Sequence, residues 1–400
     1  MSARTSVLPA SAADPVGTRA VDTGVVDTPP VDTHCPYCAL QCGMRLRRTA
    51  ERVDVQPRAF PTNRGGLCQK GWTSAELLTS PDRLRTPLVR DDGTLRPVSW
   101  DEALDVVADG IGRAQAAGGR DAVAVFGGGG LTNEKAYAMG KFARVVLRTA
   151  NIDYNGRFCM SSAAAASIRA FGLDRGLPFP LPDVADADVV LLVGSNVAET
   201  MPPFVGHLVA QRERGGRLVV VDPRFTPTAR DAALHLQLTP GTDLALALGL
   251  LHVVVAEGLV DAAYVRARTT GFDEVRRRVA RFWPERVEGI CGVPADDVRA
   301  AARLLGSARS AIVLTARGAE QHSKGTDTVS AFINLALALG LPGRPGSGFG
   351  CLTGQGNGQG GREHGQKADQ LPGYRRLDDP AARAHVAGVW GVDPDSLPEP

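Results

Sequence analysis

Lysine is scarce in this chain of 400 residues: five stand against 40 arginines among the 45 basic positions. With 43 acidic residues the formal charge is +2, and the basic side chains are scattered through apolar segments instead of forming runs. The electrostatic footprint of a nucleic-acid-binding protein is therefore missing. A single arginine in so arginine-heavy a sequence carries little weight. Cysteine is also sparse, and seven in 400 residues exclude a disulfide scaffold. Long apolar runs are absent. The longest, Leu244 to Val255, is too short to cross a bilayer and carries His252, which suits a buried helix. Residues 1–30 have no apolar core and no twin arginine, so they read as a disordered leader without an export signal. A soluble, cytoplasmic protein without membrane association is expected. What is plentiful is apolar side chain, 44% hydrophobic against 22% charged, enough for two or three domains with real cores.

The pattern along the chain predicts an α/β protein. Residues 31–95 combine four cysteines with short alternating segments and frequent Gly and Pro, which describes a small β-rich lobe. Ser99 to Glu102 has the spacing of a capping box opening an amphipathic helix towards Ala116. Beyond it, Val-rich runs at Ala122 to Phe126, Val189 to Val193, Leu218 to Val221 and Ala311 to Leu314 alternate with helical patterns. Such runs fit parallel strands covered on both faces, in Rossmann-like sheets. The loops after two of them, Gly194-Ser195-Asn196 and Asp222-Pro223-Arg224, lie where open parallel sheets bind ligands. The Gly-rich stretch from Arg344 to Gly365 is either an ordered binding loop or a linker.

Cys35, Cys38 and Cys42 give three thiols on one tight loop, and Cys68 adds a fourth from a distance. One triple and one single suit a 4Fe-4S cluster, whereas structural zinc, the competing occupant, usually pairs two short knuckles. Lys70 follows the fourth cysteine closely, as a relay towards a second centre or as a solvated cation. Cys291 and Cys351 are isolated and read as buried structural thiols. The thiol of Cys159 is placed near the positive end of a helix that opens after an Asn-Gly turn.

These segments together resemble the molybdopterin oxidoreductases. The anchors are His34 to Gly43 with Cys68 to Gly71, then Cys159, Gly194-Ser195-Asn196, Val221 to Arg224, Thr239 to Asp243, Gly318 to Gly325 and Gly354-Gln355-Gly356-Asn357. The resemblance implies a bis(molybdopterin guanine dinucleotide) cofactor with molybdenum, or less readily tungsten, on Cys159, fed by the 4Fe-4S cluster. It implies that Lys70 relays electrons between cluster and pterin. By the same resemblance Gly194, Asn196, Asp222, Arg224, Gly241, Asp243, Gln321, His322, Gly354, Gln355 and Asn357 would contact the cofactor.

Formate dehydrogenases of the family follow the metal ligand with a His, which can take a proton; here Met160 follows Cys159 and cannot. Cys159 to Ala163, and Gly361 to Gly365 with Leu371 to Arg375, look instead like nitrate reductases. The resemblance thus implies reduction of nitrate to nitrite by oxygen-atom transfer, with Arg362 drawing nitrate in and Glu363 ordering it or passing protons. A formate dehydrogenase-like enzyme and a non-catalytic electron-transfer subunit are the alternatives. Ferredoxin, flavodoxin or an NADH-linked flavoprotein would supply electrons. The expected domains are 31–95 for the cluster, 96–180 with 310–400 as a discontinuous α/β domain, and 181–309 as a Rossmann-like cofactor domain. The β-barrel that closes family members is expected to be absent.

Overall fold

The computed structural model describes residues 29–174 and 176–399; residues 1–28 of the expected leader lie outside it. Strands Val31–His34 (β1), Gly43–Arg48 (β2) and Val53–Pro57 (β3) form an antiparallel sheet in chain order. A hairpin of Leu88–Asp91 (β4) and Thr94–Pro97 (β5) then leads into the helix Trp100–Gly118. Ser99 caps that helix, its Oγ accepting from the Glu102 amide at 3.1 Å. The helix buries none of its residues, and Leu104 and Val107, one turn apart, are exposed. Val125–Gly127 (β6) and Ile152–Tyr154 (β7) make a small parallel pair.

The main sheet holds Val189–Val193 (β8), Arg217–Val221 (β9), Leu234–Leu236 (β10), Ala311–Thr315 (β11) and Gly348–Cys351 (β12). All neighbours are parallel, in the order β10-β9-β8-β11-β12. Connections run outward from β8 on one side and cross to β11 on the other, so the topological switch point lies between β8 and β11. The strands end in register, with Leu236, Val221, Val193, Thr315 and Cys351 in one row along the carboxyl edge. Gln370–Leu371 (β13) and Arg375–Arg376 (β14) close a short hairpin beside the helix Pro380–Trp390.

Because side chains alternate along each strand, the sheet serves two cores. Leu191, Val219 and Val313 pack with the helices Asp243–Ala256, Ala295–Ser307 and Gly325–Ala338. Leu192, Val220 and Leu314 face the other way, where Phe204, Leu208 and the lobe residues Cys35, Leu40, Cys42 and Met44 join them. The N-terminal lobe is therefore seated on one face of the sheet by shared apolar burial. The segment Leu244 to Val255 is the buried helix its sequence suggested, and no helix among the described residues is long and apolar enough to cross a membrane.

One expected boundary differs. Strand β11 pairs with β8 and β12 with β11, so the sheet continues past residue 310, where the chain was expected to return to the discontinuous domain begun at 96–180. A continuous apolar run marks a buried strand but does not say which sheet it joins.

Candidate functional site

The β1–β2 ladder brings the two ends of the cysteine loop together, with the Cys35 amide donating to the Cys42 carbonyl at 2.8 Å. Gln41 turns the chain back at φ +44. Asn63, almost fully buried, clamps the returning segment: its Oδ1 accepts from the Gly43 amide at 3.0 Å, and its Nδ2 donates to the carbonyls of Gly43 and Gly66. Only glycine fits at Gly43, where a Cβ would lie 2.6 Å from Phe60. This clamp delivers Cys68 to the mouth of the loop, at the start of the short helix Gln69–Trp72.

Cys35, Cys38, Cys42 and Cys68 line one cavity of about 310 Å³ together with Lys70. Burial raises the thiol pKa of Cys35 and Cys38 and pushes Cys42 up to about 12, with mutual repulsion between the sulfurs adding to it. Three such sulfurs become stable thiolates only around a cationic core. A single zinc would draw them to about 2.3 Å from one point. Four thiols spaced around a cavity fit a polynuclear cluster.

A second cavity, about 400 Å³, opens at the switch point along the carboxyl edge of the sheet. Gly194, Asn196, Asp222, Arg224, Gly241, Asp243, His322 and Gly354 all line it, so eight residues scattered over 160 positions meet at one cavity. Gly194, at φ +65, passes so close to the next strand's loop that a Cβ would lie 2.4 Å from the Ala319 amide. Asp222 is buried and accepts from the Arg224 amide at 2.9 Å. Burial raises the pKa of Asp243, and His322, 4.0 Å away, offsets part of that rise. Buried carboxylates facing a cavity suit a ligand that offers N–H donors, as guanine does, and the open amides at the edge suit its phosphates. The donor set fits the expected nucleotide.

The cluster cavity and this cavity share Thr200 and Gly354. The loop carrying Gly354 also bonds the lobe: the Ala39 amide donates to its carbonyl, and Cys38 forms a bridge with Gln355. The Gly-rich stretch is thus an ordered loop, not a linker.

Cys159 lies in the first turn of the helix Gly156–Phe171, half-buried, its amide donating to Asn155. Asn155 donates to the Gln355 side chain at 2.7 Å, which ties the start of this helix to the loop carrying Gly354. The cation beside the sulfur is Arg317, whose Nη1 stands 3.5 Å from Cys159 Sγ. Its Nη2 donates to Cys351 Sγ at 2.9 Å and is ion-paired with Glu320, which is buried and also accepts from Thr315 Oγ1 and from Cys351. The sequence singles out neither Arg317 nor Glu320, and Cys351, expected as a buried structural thiol, packs against the core and bonds both as well. Their only signal was position, directly after β11 and at the end of β12.

Other expected residues fall elsewhere. Met160 is buried in the core on one face of the sheet. Arg362 is 3% exposed, and its Nε lies 2.8 Å from Asp174 in a buried ion pair. No hydrogen bond or ion pair among the described residues joins it to Cys159. This placement departs from the expected open, nitrate-drawing cation; a helix position in a Gly-rich run did not reveal its burial. Glu363 is held by Gln359 on the same helix. Asn357 caps that helix and bonds Asn133, while Gln321 donates to the Phe158 carbonyl.

Residues 29–80 match the molybdopterin oxidoreductase Fe4S4 domain, and residues 83–391 match molybdopterin oxidoreductase. The chain belongs to the molybdopterin oxidoreductase family. Among its relatives, the assimilatory nitrate reductase catalytic subunit of Bacillus subtilis is 43% identical over 374 residues, covering 92% of this chain and 52% of that protein. Formate dehydrogenase H of Escherichia coli is 36% identical over 376 residues, again 92% of this chain and 52% of that protein. Acetylene hydratase from Pelobacter acetylenicus has the same fold, with a TM-score of 0.69 at 23% identity over 77% of this chain and 43% of that one. The chain spans about half the length of the curated relatives it matches.

Proposed function

We propose that this molybdopterin oxidoreductase chain carries the electron-entry lobe and the metal-ligand helix of an enzyme that reduces nitrate to nitrite. The observation that carries the reading is the pair Cys159–Met160. The thiol is half-buried beside a cation, and the residue after it is a buried thioether with no proton to give or take. Oxidation of formate calls for a proton acceptor at that position, whereas removal of an oxygen atom from nitrate does not. The 43% identity to a nitrate reductase subunit supports the same choice.

When bound, the molybdopterin centre supplies a two-electron oxygen-atom acceptor, the chemistry nitrate reduction needs. The residues of this chain have four tasks. Cys159 would ligate the metal, molybdenum in preference to tungsten. Asn196, Asp222, Arg224 and Asp243 would hold the guanosine and diphosphate ends. Gly194, Gly241 and Gly354 would give the backbone room to approach. Lys70, on the wall of the cluster cavity that Gly354 also lines, would stand between the cluster and the pterin. Electrons would come from ferredoxin, flavodoxin or an NADH-linked flavoprotein, in the cytoplasm.

The formate reading has one observation in its favour, the 36% identity to formate dehydrogenase H. Anaerobic purification followed by iron, molybdenum and pterin analysis, with reduced-viologen assays on nitrate and dye assays on formate, separates the readings. Nitrate turnover with both metals present supports the proposal. Formate turnover alone, or iron without molybdenum and pterin, overturns it.

A further inference from the structure

We propose that Arg317 is the anion-positioning residue of this site, held in place by Glu320 and Cys351; the inference rests on Cys159 being the metal ligand. Three observations support it. First, Arg317 lines the switch-point cavity and its Nη1 is in contact range of Cys159 Sγ at 3.5 Å, so its charge sits where a substrate at that sulfur's metal would arrive. Second, the guanidinium is fixed from behind. Nη2 bonds Cys351 Sγ at 2.9 Å, the Cys351 thiol donates to Glu320 Oε1 at 2.9 Å, and the Glu320 carboxylate closes the ring by pairing with Arg317.

Third, this anchor is built into the sheet edge. Thr315 and Cys351 are register partners at the ends of β11 and β12, and the Thr315 hydroxyl holds Glu320 Oε1 at 2.8 Å. A planar guanidinium held by one carboxylate and one thiol keeps its remaining Nη1 N–H in a fixed direction, which a lysine ammonium cannot. A fixed, charged donor of this kind suits an oxyanion better than a neutral substrate.

The test uses the full chain in its cofactor-loaded form, with Arg317→Met, Arg317→Lys and Glu320→Gln. Expected for Arg317→Met are unchanged iron, molybdenum and pterin content and a KM for nitrate raised about tenfold or more, as loss of a charged hydrogen bond dictates. The affinity for azide, followed through the Mo(V) EPR signal, should weaken in parallel. Arg317→Lys should recover part of the azide affinity, and Glu320→Gln should weaken it less than Arg317→Met does. Unchanged azide affinity and KM in a fully loaded Arg317→Met protein overturn the proposal. So does loss of molybdenum from both Arg317 variants with iron retained, because the residue is then a structural prop. Retention of molybdenum by Cys159→Ala overturns the ligand reading instead, whatever the Arg317 variants do.

Discussion

The amide of Ala39, inside the cysteine loop, donates a hydrogen bond of 3.2 Å to the carbonyl of Gly354, on the loop that lines both cavities. Lobe and sheet edge are joined here by backbone, with the Gln41 side chain adding a bond to the Gly356 carbonyl. A side chain placed there therefore separates binding from folding. A Cβ at Gly354 would meet nothing within 4 Å. Gly354→Val should leave stability within about 0.5 kcal/mol, as at other unconstrained surface positions, while filling the shared space. Lowered pterin content with unchanged iron is the expected result, read by metal analysis and pterin fluorescence; undiminished pterin would show that the space is not used.

Removing the sulfur at position 159 tests the centre of the site. Cys159→Ala should lose molybdenum and reduce nitrate no faster than background while retaining its iron, because the four cluster thiols line a cavity of which Cys159 is no part. Full activity in the variant would exclude the ligand role.

Acid should loosen the seat of the lobe. His207 is fully buried, its Nε2 is 3.2 Å from the Thr62 carbonyl, and burial lowers its pKa below the ordinary 6.5. Unfolded chain then binds the proton more readily than folded chain, so stability falls as pH drops below 6.5 towards the depressed value. His207→Gln can keep a donor to Thr62 without titrating. Its denaturant midpoint should vary less across that window than the wild-type midpoint, and equal slopes would remove His207 from the account.

The buried ion pair of Arg362 and Asp174 should matter for folding. Arg362→Met leaves a carboxylate in a dry setting and should cost about 3–5 kcal/mol in urea unfolding. Adding Asp174→Asn should recover part of this. A loss below about 1 kcal/mol would mark the pair as hydrated and weak.

Much of this was legible in the sequence. Val189 to Val193 is a strand as read, because a short, unalternating Val/Leu run has few other solutions. Ser99 announced its helix through cap chemistry that acts over three residues. Eight positions singled out by motif order line one cavity, because motif order survives without knowledge of distance. What failed was long-range. Nothing local tells that β11 joins β8, that Arg362 is covered, or that Arg317 reaches a sulfur 158 positions earlier in the chain. Asn63 was likewise invisible, since a clamp amide looks like any loop polar residue until Gly43 and Gly66 are in place around it.

The helix Trp100–Gly118 leaves Leu104 and Val107 bare to water, with Trp100 at its start also exposed. Phe126 and Phe158 form a second greasy spot, their rings 6.3 Å apart. Purified on its own, this polypeptide should behave as a sticky colloid: it should bind dyes such as ANS, cling to phenyl resin and self-associate as it is concentrated.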